Sequence, residues 1–330
     1  MASNDTVLVL GATGGIGGEV ARQLCDAGWE VRALKRGAAE GKRDGITWFA
    51  GDAMDAQAVR QAAKGCSVIV HAVNPPGYRG WAQLVLPMLD NTIAAAKAEG
   101  ATIVLPGTVY NFGPDAFPLL KEDSPQHPVT RKGAIRVEME KRLEDASREG
   151  GVRVLIVRAG DFFGPKPGNN WFSQGLLKVG QPVKAVSYPG RPGMGHQWSY
   201  LPDVARTMVE LLARRDRLEP FARFHMAGHW DVDGTRMSGA IRKVVARRTG
   251  AAVPRVSAFP WWLLTLASPF VTTFREMREM RYLWQTPVQM DNAKLVAFLG
   301  REPHTPLEEA VEAALDGMGS LNVAPAAVAA

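Results

Sequence analysis

The chain has 330 residues, with 39 Lys plus Arg against 33 Asp plus Glu and a formal charge of +6. Hydrophobic residues at 46% and charged residues at 22% exclude a disordered or fibrous chain, and at about 150 residues per domain the length suggests one large or two modest domains. A mean hydropathy of -0.10, without an unbroken apolar run of about 18 residues, excludes a conventional membrane span. The opening MASNDTVLVLGATGG has no basic n-region and no cleavable h-region, so a cytoplasmic protein without a secretory signal is expected. Cys25 and Cys66 cannot make a disulfide framework and are expected to be small buried residues in a reducing compartment. The basic excess is dispersed in helical patterns such as RMSGAIRKVVARR. With no DNA-binding motif beside it, it reads as a solvated helix face or as attraction for an anionic cofactor, not as a nucleic-acid site.

Along the chain, Val7–Leu10 is an apolar run, followed by glycines and then by Ile16, Val20 and Leu24 at every fourth residue, which predicts strand, turn and helix. Val31–Leu34, Val68–Val73, Ile103–Leu105 and Val152–Val157 read as further strands, with helices over Ala56–Ala63, Trp81–Glu99 and Ala134–Glu149 between them. This alternation predicts α/β architecture, a doubly wound parallel sheet of Rossmann type. From about Asp161 the pattern loosens into Pro-, Gly- and Trp-rich segments, a smaller C-terminal α+β cap for the substrate. The expected division is 1–165, with 198–230 returning to it, against 166–197 and 231–320, and a frayed tail over 321–330. Helices are expected over Asp203–Arg214 and from Thr305, where TPLE offers Thr305 as N-cap, Pro306 in the first turn and Glu308 closing a capping box.

GATGGIG places Gly11, Gly14 and Gly17 between that first strand and helix. Glycines there let the backbone approach a pyrophosphate, whose charge the helix N-terminus stabilises. An NAD site usually carries an acid at the end of the second strand, on the ribose 2′-hydroxyl. Here the strand runs VRALKRG, putting Lys35 and Arg36 at that place, while Glu30 comes too early. Two cations attract a 2′-phosphate, so NADP(H) is expected over NAD(H).

With these residues laid out, the chain resembles the extended short-chain dehydrogenase/reductase superfamily, the epimerase/dehydratase-like and dihydroflavonol-reductase-like proteins. The resemblance rests on GATGGIG, GDAMD at Gly51–Asp55, VIVHAV at Val68–Val73, TVYNFGP at Thr108–Pro114, VLIVRAGDFFGP at Val154–Pro165 and HQWSYLPDVA at His196–Ala205. It departs at Ala159, where the family usually has Pro. The cofactor site it implies consists of Gly11, Thr13, Gly14, Gly15, Ile16, Gly17, Lys35, Arg36, Asp52, Ala53, His71, Ala72, Val73, Lys132, Arg136, Ala159 and Phe162. It also implies a homodimer formed through helices of the Rossmann domain.

The family's chemistry uses a Tyr four residues before a Lys on one helix. Tyr78, Tyr110, Tyr188, Tyr200 and Tyr282 are followed four positions later by Ala82, Pro114, Pro192, Val204 and Thr286, so the pair is missing. Glu122–Pro125, Gly133 and Glu140 fix the register, which puts Lys132 in place of the Tyr, Arg136 in place of the Lys and Pro106 in place of the Ser. Lys132 and Arg136 share a helix face. Arg136 is a candidate for the nicotinamide ribose, and Lys132 is the candidate acid if burial and neighbouring cations lower its pKa. The alternative is a pair of solvated cations on a helix that has lost its chemistry. Thr108 and Tyr110 are secondary candidates.

No metal site is expected: His225 and His229 read as strand then turn, without an acidic or Cys partner at ligand spacing. FPWWLLTLASPFVTTF at Phe259–Phe274 is a lid, an interfacial membrane patch, a subunit contact or a buried helix of the cap. Trp171, Phe172, Trp198, Trp261, Trp262 and Trp284 lie where the family builds its substrate pocket, so the expected substrate is apolar or aromatic. The expected function is an NADP(H)-dependent oxidoreductase on a small apolar carbonyl or alcohol. The alternatives are a non-catalytic NADP(H)-binding redox sensor and an epimerase or dehydratase.

Overall fold

The computed structural model describes residues 5–75, 80–166, 168 and 170–321, so Tyr78 and all but the first residue of the expected tail lie outside the described residues. The chain divides into two compact units: Met1–Ala159, Pro202–Met226 and Met290–Pro303 in the first, and Gly160–Leu201, Ala227–Gln289 and His304–Ala330 in the second.

The first unit begins with β1 (Thr6–Leu10), α1 (Gly15–Asp26), β2 (Glu30–Lys35), β3 (Gly41–Arg43), β4 (Ile46–Ala50), α2 (Ala56–Ala63) and β5 (Val68–His71). It continues with α3 (Trp81–Glu99), β6 (Thr102–Gly107), β7 (Leu119–Leu120), α4 (Arg131–Arg148) and β8 (Arg153–Arg158). The second unit then takes β9 (Asp161–Phe163), β10 (Ala185–Tyr188) and β11 (His196–Tyr200), before α5 (Leu201–Leu212) and β12 (Phe221–His225) return to the first. Beyond these, β13 (His229–Asp231), α6 (Arg236–Thr249), β14 (Arg255–Ala258), α7 (Trp261–Ala267), α8 (Thr272–Glu279) and α10 (Leu307–Gly317) belong to the second unit, interrupted by β15 (Gln289–Met290) and α9 (Ala293–Leu299).

The main sheet runs β12-β8-β6-β5-β1-β2-β4-β3. It is parallel throughout except for β3, which runs antiparallel to β4. Leu8, Leu10, Ile69, Ile103, Leu105, Val154 and Ile156 point to one face, where Val59 of α2, Leu89 of α3 and Leu143 of α4 cover them. Val7, Val9, Val68 and Val70, which alternate with them, are equally buried, so both faces are covered. Burial on both faces explains why these strands read as continuous apolar runs rather than alternating ones. After β4 the chain crosses back over β2 and β1 to lay β5 beside β1. That reversal of strand order opens a crevice at the carboxyl ends of β1 and β5, where ligands of such sheets bind.

Several boundaries differ from expectation. β4, ITWFA, was not among the expected strands; its residues are partly exposed and carry no alternation. β5 ends at His71, leaving Ala72 and Val73 in the following loop. α4 starts at Arg131 rather than Ala134, because the Thr130 hydroxyl accepts the Gly133 N–H at 3.0 Å and caps the helix earlier. The capping box at α10 does not form: Pro306 is the N-cap, without a side-chain cap, and Glu308 turns to Lys243 Nζ at 2.6 Å. The unit boundary falls at Ala159 instead of 165, and residues 290–303 join the first unit, where Asp291 N–H donates to Leu120 O at 2.8 Å.

In the second unit, β9, β11 and β13 form a three-stranded sheet, and β10 pairs with β14. Phe163, Phe172, Trp198 and Tyr200 make an aromatic core on it. Trp171, Trp261 and Trp284 pack edge-on or tilted beside it, and His196 stacks on Trp284 at 3.7 Å. The basic segment RMSGAIRKVVARR is α6, whose Lys243, Arg247 and Arg248 pair with Glu308 and Glu312 of α10. The apolar stretch 259–274 is not a buried helix: Trp262, Leu263, Leu266, Phe270 and Val271 are exposed.

Candidate functional site

The crevice is built from glycine. Gly11 has φ +92°, and a Cβ there would lie 2.5 Å from Ala72 O and 2.8 Å from Val73 N. A Cβ on Gly17 would lie 2.3 Å from Gly11 O, so α1 approaches β1 as closely as backbone permits. Gly14 is the N-cap of α1, held extended while its N–H donates to Gly11 O at 2.9 Å, and no side chain caps the helix start. Thr13 and Gly14 are exposed, Gly15 and Ile16 half-buried, and the first turn carries no acid. A helix start without a side-chain cap and without a carboxylate in its first turn is compatible with an anion.

Lys35 and Arg36 are exposed at the carboxyl end of β2. Arg36 lies 3.8 Å from the carboxylate of Asp52, which also accepts Met54 N–H at 3.0 Å. Ala53 is buried, and its carbonyl accepts from Asn91 at 2.9 Å.

At the end of β5, His71 is buried. Thr92 Oγ1 donates to Met88 O at 3.0 Å and therefore accepts from His71 Nδ1 at 2.8 Å. That fixes the Nδ1–H tautomer and leaves the buried Nε2 without a hydrogen-bond partner among the described residues. Burial first, and the charge of Arg136 second, hold the imidazole neutral with a pKa of about 3.

The loop after β6 and the start of α4 come together in the same unit. A Cβ on Gly133 would lie 2.2 Å from Tyr110 O and 2.6 Å from Pro128 Cβ, so the first turn of α4 presses on the turn at 109–111. Lys132, one residue before, is 4% exposed. Arg136 donates to Pro106 O at 3.4 Å and lies over the Trp81 ring at 5.5 Å. Thr108 Oγ1 accepts Tyr110 N–H and donates to Asn111 Oδ1, both at 3.3 Å, so its hydrogen is directed into the turn.

Behind that turn runs a buried polar network that the sequence did not reveal beyond Glu140 and Glu122. Asn111 donates to Gln126 at 3.0 Å and Gln126 to Glu140 at 3.1 Å; Glu140 pairs twice with Arg158, with Nε to Oε1 at 3.0 Å. Arg158 in turn donates to His225 Nε2 at 2.9 Å, while His225 Nδ1 donates to Leu120 O and its N–H to Glu122 at 2.9 Å. Burial, and then Arg158, lower the His225 pKa to about 3. The only sequence signal was an Arg ending an otherwise apolar strand. Ala159 is buried directly after β8, whereas Phe162 lies on β9 of the second unit, opposite Ser199. His225 and His229 fall in different units, and among the described residues no three metal-type side chains stand together.

Residues 7–227 match the model of the NAD dependent epimerase/dehydratase family. The chain belongs to that family. Its members are nicotinamide-dinucleotide enzymes, and the glycine cradle of β1 and α1 is the part of this family member that fits such a cofactor. No curated protein sequence matches the chain. Among solved structures it is similar to L-threonine dehydrogenase from Clostridium difficile, at 17% identity and a TM-score of 0.75 over 96% of this chain and 99% of that one. A putative epimerase from Burkholderia cenocepacia is similar at 18% identity and a TM-score of 0.72, over 96% and 99%. UDP-glucose 4-epimerase from Thermus thermophilus, solved with NAD, matches at 21% identity and a TM-score of 0.68, over 95% and 98%. At these identities the likeness is one of fold. Among the described residues, no helix of this family member is long and apolar enough to cross a membrane.

Proposed function

We propose that the protein is an NADP(H)-dependent oxidoreductase acting on a small apolar or aromatic carbonyl or alcohol. The observation that carries the cofactor preference is the exposed Lys35–Arg36 pair at the end of β2, in the place of the acid that binds a ribose 2′-hydroxyl. Two guanidinium or ammonium groups hold a 2′-phosphate by charge-assisted hydrogen bonds. The first turn of α1 would receive the pyrophosphate, and Asp52, Ala53, His71, Ala72 and Val73 border the adenosine half.

The bound cofactor would supply the hydride. Arg136, reaching Pro106 O, would orient the nicotinamide ribose. Lys132 would hold the proton that the carbonyl oxygen takes up, from its buried place beside the turn at 109–111. The substrate reading rests on the second unit. There the aromatic cluster buries Tyr188 Oη, Trp198 Nε1 and Trp284 Nε1 without hydrogen-bond partners among the described residues. Apolar and aromatic surroundings with a few unspent donors suit a ligand bearing one carbonyl.

A second reading, an NADP(H)-binding redox sensor without turnover, is favoured by the change of type at Pro106, Lys132 and Arg136. Turnover of aromatic and aliphatic ketones with NADPH, followed at the nicotinamide absorbance, separates the two. The oxidoreductase reading expects turnover that falls about 100-fold or more in Lys132→Ala with NADPH binding retained. NADPH binding without turnover of any carbonyl supports the sensor, and equal turnover by Lys132→Ala removes Lys132 as the acid. Tight binding of a UDP-sugar with no binding of aromatic ketones would remove the apolar substrate.

A further inference from the structure

Asp161 opens β9 and His196 opens β11 in the second unit, and the reaction assigned above gives neither a role. In the parallel pair β9–β11, Asp161 stands opposite Trp198. His196, two residues before Trp198, points to the same face of the sheet. The Asp161 carboxylate therefore reaches His196 Nε2, at 2.8 Å, with side-chain exposures of only 13% and 8%. A carboxylate accepts, so Nε2 carries the hydrogen and Nδ1 of the neutral ring is left as an acceptor. No hydrogen bond among the described residues occupies Nδ1. Stacking on Trp284 at 3.7 Å and an edge contact with Trp198 at 5.0 Å fix the plane of the ring.

Donors gather around this acceptor. Trp284 meets Trp198 and Tyr188, each at 5.7 Å. Trp284 Nε1, Trp198 Nε1 and Tyr188 Oη are all buried without hydrogen-bond partners among the described residues. Native interiors leave few such groups unmatched, so three in one cluster point to a bound group that supplies the partners. Tyr188 stays a donor, because burial first, and then Asp231, Asp233 and Asp161, raise its pKa. The same carboxylates oppose an anion beside the phenol. Asp231 is occupied at the start of α6, where it accepts the N–H groups of Arg236 and Met237 at 3.0 Å each. Arg281, from the segment that carries Trp284, lies over the Trp261 ring at 5.3 Å. One acceptor nitrogen among N–H and O–H donors fits a neutral hydroxyl, which both donates and accepts. A carbonyl alone would leave Nδ1 unmatched, and a carboxylate would stand against Asp161. The surrounding rings suit a flat apolar body bearing that hydroxyl.

We infer that the Asp161–His196 pair holds a phenolic hydroxyl of the substrate. The hydroxyl donates to His196 Nδ1 and accepts from Tyr188 Oη or an indole N–H, while Asp161 keeps the imidazole in its accepting tautomer. This rests on the aromatic substrate proposed above and narrows it to one with a hydroxyl besides its reacting oxygen. The test is calorimetric titration of the full chain, with and without NADPH, using 4-hydroxyacetophenone, acetophenone and 4-acetylbenzoate. The hydroxy ketone should bind at least about tenfold tighter than acetophenone, and the benzoate more weakly than either. His196→Phe, which keeps a ring on Trp284, and Asp161→Ala should abolish that preference while acetophenone affinity stays within about twofold. Equal affinity of the parent for the two ketones, binding of neither, or a preference that survives His196→Phe overturns the inference. So does a parallel loss of both ketones in the variants, which would make the pair a packing element. NADPH-dependent turnover of acetophenone, measured on the same samples, reports on the oxidoreductase reading separately: it persists if only the hydroxyl site is wrong and is absent if the reaction itself is.

Discussion

Gly11 is where one side chain decides the site. Its φ of +92° and the carbonyl of Ala72 at 2.5 Å from any Cβ leave no room for alanine. Gly11→Ala is therefore expected to lose dinucleotide binding by at least about 100-fold through displacement of the loop, measured by fluorescence titration, while the far-UV spectrum stays close to the parent. At the Arg158–Glu140 pair the cost moves from binding to stability. Glu140→Gln strips the countercharge from a guanidinium with 0% exposure, so urea unfolding should show a loss of about 3–5 kcal/mol. Arg158→Met/Glu140→Leu, which removes both charges, should cost much less. A loss in the double variant equal to that in the single one would mean that packing, not charge, holds this place. The glycines were legible in the sequence because their role depends on three residues at fixed spacing between a strand and a helix. Arg158, Gln126 and Asn111 were not, because their partners come from α4, β12 and the loop before α4, and no local pattern reports such pairing.

At the scale of elements, the contact between α4 and the turn after β6 is set by Gly133. Gly133→Ala places a Cβ 2.2 Å from Tyr110 O and must push α4 or the turn aside. Turnover should fall about tenfold or more with NADPH affinity changed far less, because the first turn of α4 carries Lys132 while the phosphate cradle belongs to α1. Equal loss of both would mean that the displacement reaches the phosphate cradle and is not confined to the start of α4. Three strand-borne histidines make the elements acid-sensitive. Burial holds His71 and His225 near a pKa of about 3 and, with His304 adding a smaller push, His229 near about 4. In the unfolded chain each takes up a proton near pH 6.5, so the unfolded state binds more protons below that value. Their contribution to stability is complete above about pH 6.5 and is lost as the pH falls toward about 4, at ~1.4 kcal/mol per pH unit per histidine. Urea midpoints measured from neutral pH down to this range check the sign, and His71→Asn should flatten the slope. The strands β1, β2, β5, β6 and β8 and the helices α2 and α3 were legible because burial on both faces writes itself as apolar runs and helical periodicity. β4 was not, since a partly exposed strand of five residues between two glycines has neither signal. The start of α10 misled because Thr305 and Glu308 satisfy the capping pattern while Pro306 takes the N-cap.

On the scale of the whole molecule, one chain supplies alternating segments to a unit built on the parallel sheet and to an aromatic-rich unit. The sheet and its switch point follow from the order of strands, and the family membership from residues 7–227. The second unit was less legible because its order comes from rings meeting across sequence distances, such as His196 on Trp284 and Trp171 on Trp261. The same distribution explains the apolar stretch 259–274, whose composition does not say which face turns inward. On the proposed function, the ends of β1 and β2 together hold a phosphorylated ribose. Titration of the purified protein with NADPH and with NADH, repeated on Lys35→Ala/Arg36→Ala, tests it most directly. NADPH should bind at least about 30-fold tighter than NADH, from two charge-assisted contacts, with the preference gone in the variant and NADH affinity unchanged. Equal affinity of the parent for both cofactors, or a preference that survives the double substitution, would contradict it.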